Sequence, residues 1–165
     1  MNTLDILQYG NLTFMKTVQA VPLAEREVPE VCGSWSVKDI IAHLASLEIL
    51  LTEVFSVLLN GTPTPTLDQW LSNPEAFNTQ QVQLRKDKSA KDVLTEYVAT
   101  FDRVMSLATQ IPMDVWGQEG VLPWHGGQYS LDDFIVYQYY GHKREHSAEI
   151  AIFLSQITQS VRAVR

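Results

Sequence analysis

The sequence predicts an all-α fold, a four-helix bundle with a long crossover between its second and third helices. Apolar residues recur at steps of three and four along four long segments, which is the spacing of one face of an α-helix. Three of these segments open with a Ser that is followed three residues later by an Asp, and the two side chains of such a pair can cap a helix N-terminus. The pairs are Ser36 with Asp39, Ser89 with Asp92, and Ser130 with Asp133.

The first two helices have clear stop signals. The first carries the apolar positions between Leu4 and Val18 and is expected to end before Pro22, because proline cannot continue a helix. The second is expected from Val37 to Leu59, since Gly61 follows it and glycine is favoured just past a helix C-terminus.

A polar, proline-containing crossover is expected from Thr62 to Lys88. The sequence Asn73-Pro74-Glu75 should open a short helix inside it, because proline is well tolerated in the first turn of a helix. The third long helix is expected from Ala90 to Thr109, and Pro112 prevents it from continuing.

A turn-rich segment from Gly117 to Gln128 precedes the fourth helix, which is expected from Leu131 to Ile157. Residues 1–159 should therefore form a single domain, a length that can bury a core of its own. Residues 160–165 are expected to be a frayed tail, because chain ends are poorly ordered unless they are packed against the domain.

Composition excludes several classes of protein. The chain has 165 residues, a formal net charge of -7 and one cysteine. An acidic chain lacks the basic surface of a nucleic-acid-binding protein, and one cysteine cannot form an intramolecular disulfide framework. The N-terminus lacks a secretory signal, and charged residues interrupt the most apolar helix, so no membrane partner is predicted and a cytoplasmic location is expected.

The histidines carry the functional information. His142 and His146 are separated by about 40° around the fourth helix, so both rings leave the face that also carries Ile150. His43 lies on the most apolar stripe of the second helix, where an ionisable ring needs a partner. If these two helices are neighbours, three imidazoles could share one divalent metal and leave a coordination position open. The alternative is that all three are interior histidines held by hydrogen bonds.

Two segments resemble the DinB-like superfamily, which includes YfiT-type metal hydrolases and certain transferases of low-molecular-weight thiols. The first runs from Gly33 to Leu44 (GSWSVKDIIAHL) and is similar to the family segment that opens the second helix. The second runs from Gly141 to His146 (GHKREH) and is similar to the histidine pair on the last long helix.

This resemblance implies a four-helix bundle that is commonly a homodimer, with zinc or nickel bound by His43, His142 and His146. It implies a metal-dependent enzyme acting on a small-molecule substrate, either a hydrolase or a transferase that uses a low-molecular-weight thiol. Fold does not settle function, so a non-catalytic metal- or ligand-binding protein of the stress response remains the alternative.

Four further residues are candidates for roles around such a centre. Glu149 follows His146 by three residues on the same helix, and Glu48 follows His43 by five. Either carboxylate could act as a general base, provided that it lies within hydrogen-bond reach of a reacting proton. Trp124 and His125 are candidates to contact substrate from the turn-rich segment, because binding residues are often carried by loops on a rigid scaffold. The alternative is that Trp124 plugs the end of the bundle.

Overall fold

The predicted all-α architecture is confirmed in the structure, a computed structural model that describes residues 2–163, with side chains through residue 160. Within this range the only extended pairing is an isolated bridge between Cys32 and Trp35. The helices are α1 (Thr3–Ala20), α2 (Val37–Asn60), α3 (Pro65–Ser72), α4 (Pro74–Gln83), α5 (Ala90–Ala108), α6 (Met113–Trp116), α7 (Leu131–Ile135) and α8 (His142–Ala163). A short 3-10 turn covers Leu23–Glu25.

The predicted capping pairs begin their helices as expected. Ser36 and Ser130 form complete capping boxes with the Asp three residues later. The Ser89 hydroxyl accepts a hydrogen bond from the backbone amide of Asp92 and donates one to the Asp92 carboxylate. The N-termini of α2, which carries His43, and of α7, which precedes the last helix, are therefore set locally by residues within one turn of each other.

The crossover between α2 and α5 contains two helices, of which the sequence predicted one. Asn73 caps α4 by accepting the amide of Ala76, as its position before Pro74 suggested. The unpredicted helix α3 begins where the Glu53 carboxylate of α2 accepts the backbone amides of Thr66 and Leu67. This cap is supplied by tertiary structure, so local sequence could not reveal it.

The core consists of two clusters of buried apolar side chains. One surrounds the C-terminal half of α2 and includes Phe55 and Phe134. The other surrounds the N-terminal half of α2, where Ile40 and Ile41 meet Phe14 of α1. By length and composition α2 could cross a membrane, but 78% of its most apolar window is buried inside the bundle.

The predicted fourth helix is interrupted. A π-helical segment, Val136–Gly141, joins α7 to α8 in place of continuous α-helix. The helix also runs past its predicted end at Ile157 as far as Ala163. The predicted tail at 160–165 is thus helical over 160–163, and its last two residues lie outside the described range.

Candidate metal centre

Helices α2 and α8 bring three histidines together inside the bundle. The Nε2 atom of His142 lies 2.8 Å from Nε2 of His43 and 3.0 Å from Nε2 of His146. His43 is 2% exposed and His146 is 6% exposed, whereas His142 is only partly buried. These three rings are a group that could hold a metal ion, and His142 is the most exposed of the three.

Glu149 contacts the ring of His146 at its Nδ1 atom. Its Oε2 atom lies 2.7 Å from Nδ1 of His146, so Nδ1 carries a proton and donates it to the carboxylate. In the neutral ring Nε2 is then an unprotonated acceptor that points into the cluster. A carboxylate behind a histidine in this way is the usual companion of a metal-binding imidazole.

The other two rings are neutral near pH 7. Burial, followed by the nearby His142 and His146 rings, lowers the pKa of His43 from 6.5 to about 3. Burial and then His146 lower the pKa of His142 to about 4, against a smaller opposing effect of Glu149. Only an unprotonated imidazole nitrogen can bind a metal, so these shifts favour the ligand form.

The donor set fits a divalent metal better than a network of hydrogen bonds. Both short N···N contacts meet at Nε2 of His142, which can either donate to Nε2 of His146 or accept from Nε2 of His43, so a hydrogen bond can satisfy only one of them. A cation at the centre would satisfy all three nitrogen lone pairs. Ligand nitrogens about 2.0–2.1 Å from a tetrahedral zinc are about 3.3 Å apart, so the rings would have to separate by only a few tenths of an ångström.

A turn that precedes α2 covers one side of the cluster. The indole of Trp35 lies against His43, with ring centroids 5.1 Å apart. Cys32, at the start of the same turn, places its Sγ atom within 4.8 Å of a carboxylate oxygen of Glu149 and a ring nitrogen of His146. Burial, and then this carboxylate, raise the pKa of the Cys32 thiol to about 11. No spacing along the sequence connects this turn to α8, and only the fold brings them together.

The two predicted general bases lie in different surroundings. Glu149 contacts the cluster directly through His146 and is about one-third exposed. Glu48 is completely buried and forms an ion pair with Lys143, with 2.6 Å between Oε1 and Nζ. A catalytic role for either carboxylate stays a prediction. The contact that Glu149 does make is with the Nδ1 proton of His146.

Trp124 and His125 pack together in the other core cluster. Trp124 lies against Trp70 and Phe134, and the His125 ring lies 5.0 Å from the ring of Phe134. Phe134 precedes His142 by eight residues, which is about 12 Å along a helix. The structure therefore does not bring these two residues into the histidine cluster, and their contact with substrate stays a prediction.

Comparison with known proteins gives a family and a fold. The family model described as the DinB superfamily matches residues 13–150. Crystal structures of the mycothiol-dependent maleylpyruvate isomerase and of its histidine-to-alanine mutant are similar to this chain, each with a TM-score of 0.65 and 18% identity. The likeness covers 93% of this chain and 58% of the isomerase chain, so this chain spans less than two thirds of the isomerase's length.

A comparison with curated proteins finds no match. At 18% identity the structural likeness establishes a shared fold alone. The family match is different in kind, because it extends over most of the chain and includes all three clustered histidines. The chain belongs to the DinB superfamily.

Proposed function

We propose that this protein is a metal-dependent enzyme that transfers or rearranges a small electrophilic substrate with the help of a low-molecular-weight thiol. His43, His142 and His146 would hold the divalent metal, with zinc or nickel as the expected ions. The observation that carries the proposal is the convergence of three Nε2 atoms, two of them on rings whose pKa values are lowered to about 3 and 4.

The chain's own residues suit the site to a reaction more than to a closed structural centre. A divalent ion bound by three neutral imidazoles supplies Lewis acidity and lowers the pKa of a water or thiol that binds to it. Glu149 holds the Nδ1 proton of His146, which orients that ring and makes its Nε2 more basic. Trp35 shields His43 from water, while the partly exposed His142 leaves a side open to a substrate.

The thiol would come from outside the chain. Cys32 is the single cysteine, and its pKa of about 11 leaves it almost entirely protonated near neutral pH. A protonated thiol is a poor nucleophile. The isomerase with the similar fold is described as mycothiol-dependent, which supports a free thiol cofactor here and favours transfer over hydrolysis.

Metal analysis of the purified protein tests the first half of the proposal. The protein should be prepared without a polyhistidine tag, together with His43→Ala, His142→Ala and His146→Ala. His125→Ala is the matched control, because His125 packs outside the cluster. We expect one metal per chain in the wild type and the control and a loss of metal in the other three variants. A wild type without metal, or equal metal in all four variants, would contradict the proposal.

Turnover assays test the second half. The metal-loaded protein should be assayed with electrophiles in the presence of small thiols, and separately with esters, lactones and amides. Thiol-dependent turnover that His142→Ala abolishes is the expected result. Turnover of the second panel without thiol would make the protein a hydrolase. Bound metal without turnover in either panel would favour the non-catalytic metal-binding alternative.

A further inference from the structure

A buried ion pair lies next to the histidine cluster and has no role in the proposed chemistry. Glu48 of α2 and Lys143 of α8 are 2.6 Å apart and their side chains are 1% and 2% exposed. Among the described residues neither charged group has a hydrogen-bond partner outside this pair. Lys143 directly follows His142 in sequence, so the pair joins the same two helices that supply the three histidines.

The Lys143 side chain reaches the other two long helices as well. Its Nζ atom lies 4.7 Å from the ring centroid of Phe101 and 5.7 Å from that of Tyr97, both on α5. A Cβ atom added at Gly10 of α1 would lie 3.8 Å from Lys143 Cδ. One lysine therefore contacts or adjoins every long helix of the bundle.

A buried ion pair is weak evidence for a stabilising role. Removing two charges from water costs free energy that their mutual attraction often fails to recover, and apolar residues of similar volume are frequently as good or better in the same place. Buried ionic groups are best attested as devices that select one register among several, because an apolar contact tolerates sliding and an ion pair does not.

The helix geometry just before His142 defines where a change of register would occur. The π-helical segment Val136–Gly141 immediately precedes His142, and a π turn accommodates one residue more than an α turn. Glycine suits the end of this segment, because a Cβ atom added at Gly141 would lie only 3.3 Å from the carbonyl oxygen of Val136. Converting the π turn to α-helix would rotate α8 by about 100° and turn His142 and His146 away from His43.

We propose that Glu48 and Lys143 form a positioning pair that selects the π-containing register of the last helix and thereby aims His142 and His146 at His43. In the alternative register the Lys143 ammonium would leave Glu48, and both charges would be buried without a partner. This inference rests on the proposed function for its metal readout, and its structural readout is independent of any metal.

The test replaces the pair by apolar residues of similar volume. Glu48→Met/Lys143→Met is compared with the wild type in two measurements, Co²⁺ affinity of the metal-free protein and a crystal structure without metal. We expect a folded variant whose Co²⁺ affinity falls ten- to a hundredfold, the range seen when the surroundings of metal ligands are altered. Its crystal structure should show α8 rotated or in two registers.

The matched control is another ion pair, between Arg85 and Glu96, with a 2.6 Å contact that lies at the N-terminal half of α5. Arg85→Met/Glu96→Met should leave the Co²⁺ affinity and the register of α8 unchanged. If the first double variant does not fold, Glu48→Gln/Lys143→Met supplies the same comparison, because glutamine keeps the shape of the glutamate side chain.

Retention of the wild-type register in the double variant overturns the proposal, whether or not Co²⁺ affinity changes. Wild-type affinity in a variant whose register has changed overturns it too, since the pair would then not control the ligands. If the wild type itself binds no Co²⁺, the proposed function fails, while the metal-free crystal structures still decide the role of the pair.

Discussion

Acid should destabilise the metal-free protein through His43 and His142. In the unfolded chain an imidazole has a pKa of about 6.5, whereas in the folded protein these rings have pKa values of about 3 and 4. Between those limits the unfolded state binds more protons than the folded state. Stability is therefore fully present above pH 6.5 and is lost as the pH falls toward the folded-state values.

The size of the loss follows from the same values. A pH of about 5 is roughly 1.5 units below the imidazole pKa in the unfolded chain, and each unit corresponds to about 1.36 kcal/mol. Protonation of His43 in the unfolded state should therefore lower the unfolding free energy by about 2 kcal/mol between pH 7 and pH 5. His142, which is less buried, should withdraw up to the same amount.

Urea unfolding in the presence of a chelator, at pH 7 and pH 5, measures this difference. In His43→Leu the protonatable ring is gone, so the loss between the two pH values should shrink by about 2 kcal/mol. Leu50→Met alters the core without altering a titratable group and should behave as the wild type. An equal pH dependence in wild type and His43→Leu would refute the reasoning.

Three further predictions concern the site and the core. Glu149→Gln should weaken metal binding ten- to a hundredfold, because a neutral amide holds the His146 proton less strongly; competition with a chelating dye measures it, and unchanged affinity would contradict it. Removing the metal should lower the melting temperature, and free metal at a hundred times its Kd should restore about 2.7 kcal/mol by mass action; a calorimetric scan with no metal-dependent shift would count against the site. Phe55→Ala should cost about 3–5 kcal/mol of unfolding free energy by leaving a cavity in the other core cluster without changing metal affinity, and a matching loss of affinity would show that the two regions are coupled.

The elements that sequence predicted well are those fixed by local chemistry. Ser36 and Ser130 cap their helices through an Asp on the next turn, and Pro22 excludes continuation of the first helix. The pairing of His142 with His146 is equally local, since one helical turn separates them. Each of these features depends on residues a few positions apart.

The features that sequence did not predict depend on contacts between distant segments. Helix α3 is capped by Glu53 of α2, and Tyr139 in the π-helical segment donates its hydroxyl to the carbonyl of Leu47, also on α2. Lys143 looks like an ordinary solvated residue in a helix because charged side chains are rarely buried. Its burial could be recognised only with Glu48 opposite it.

The sequence predicts part of the candidate site from local spacing, and the rest depends on how the helices pack. Spacing put His142 and His146 on one face, but bringing His43 to them required that α2 and α8 be neighbours, which the resemblance implied and the structure supplies. Glu149 follows His146 by three residues, which places both side chains on one side of the helix, and the contact between them follows from that geometry.

The central claim is that three histidines from two helices bind one divalent metal ion. Anomalous diffraction from crystals of the metal-loaded protein, recorded at the absorption edge of the metal, tests it most directly. We predict a single peak about 2.0–2.1 Å from the Nε2 atoms of His43, His142 and His146 if the ion is zinc, with at least one position free of protein ligands. No peak among these three nitrogens, or a peak held by other residues, would contradict the claim.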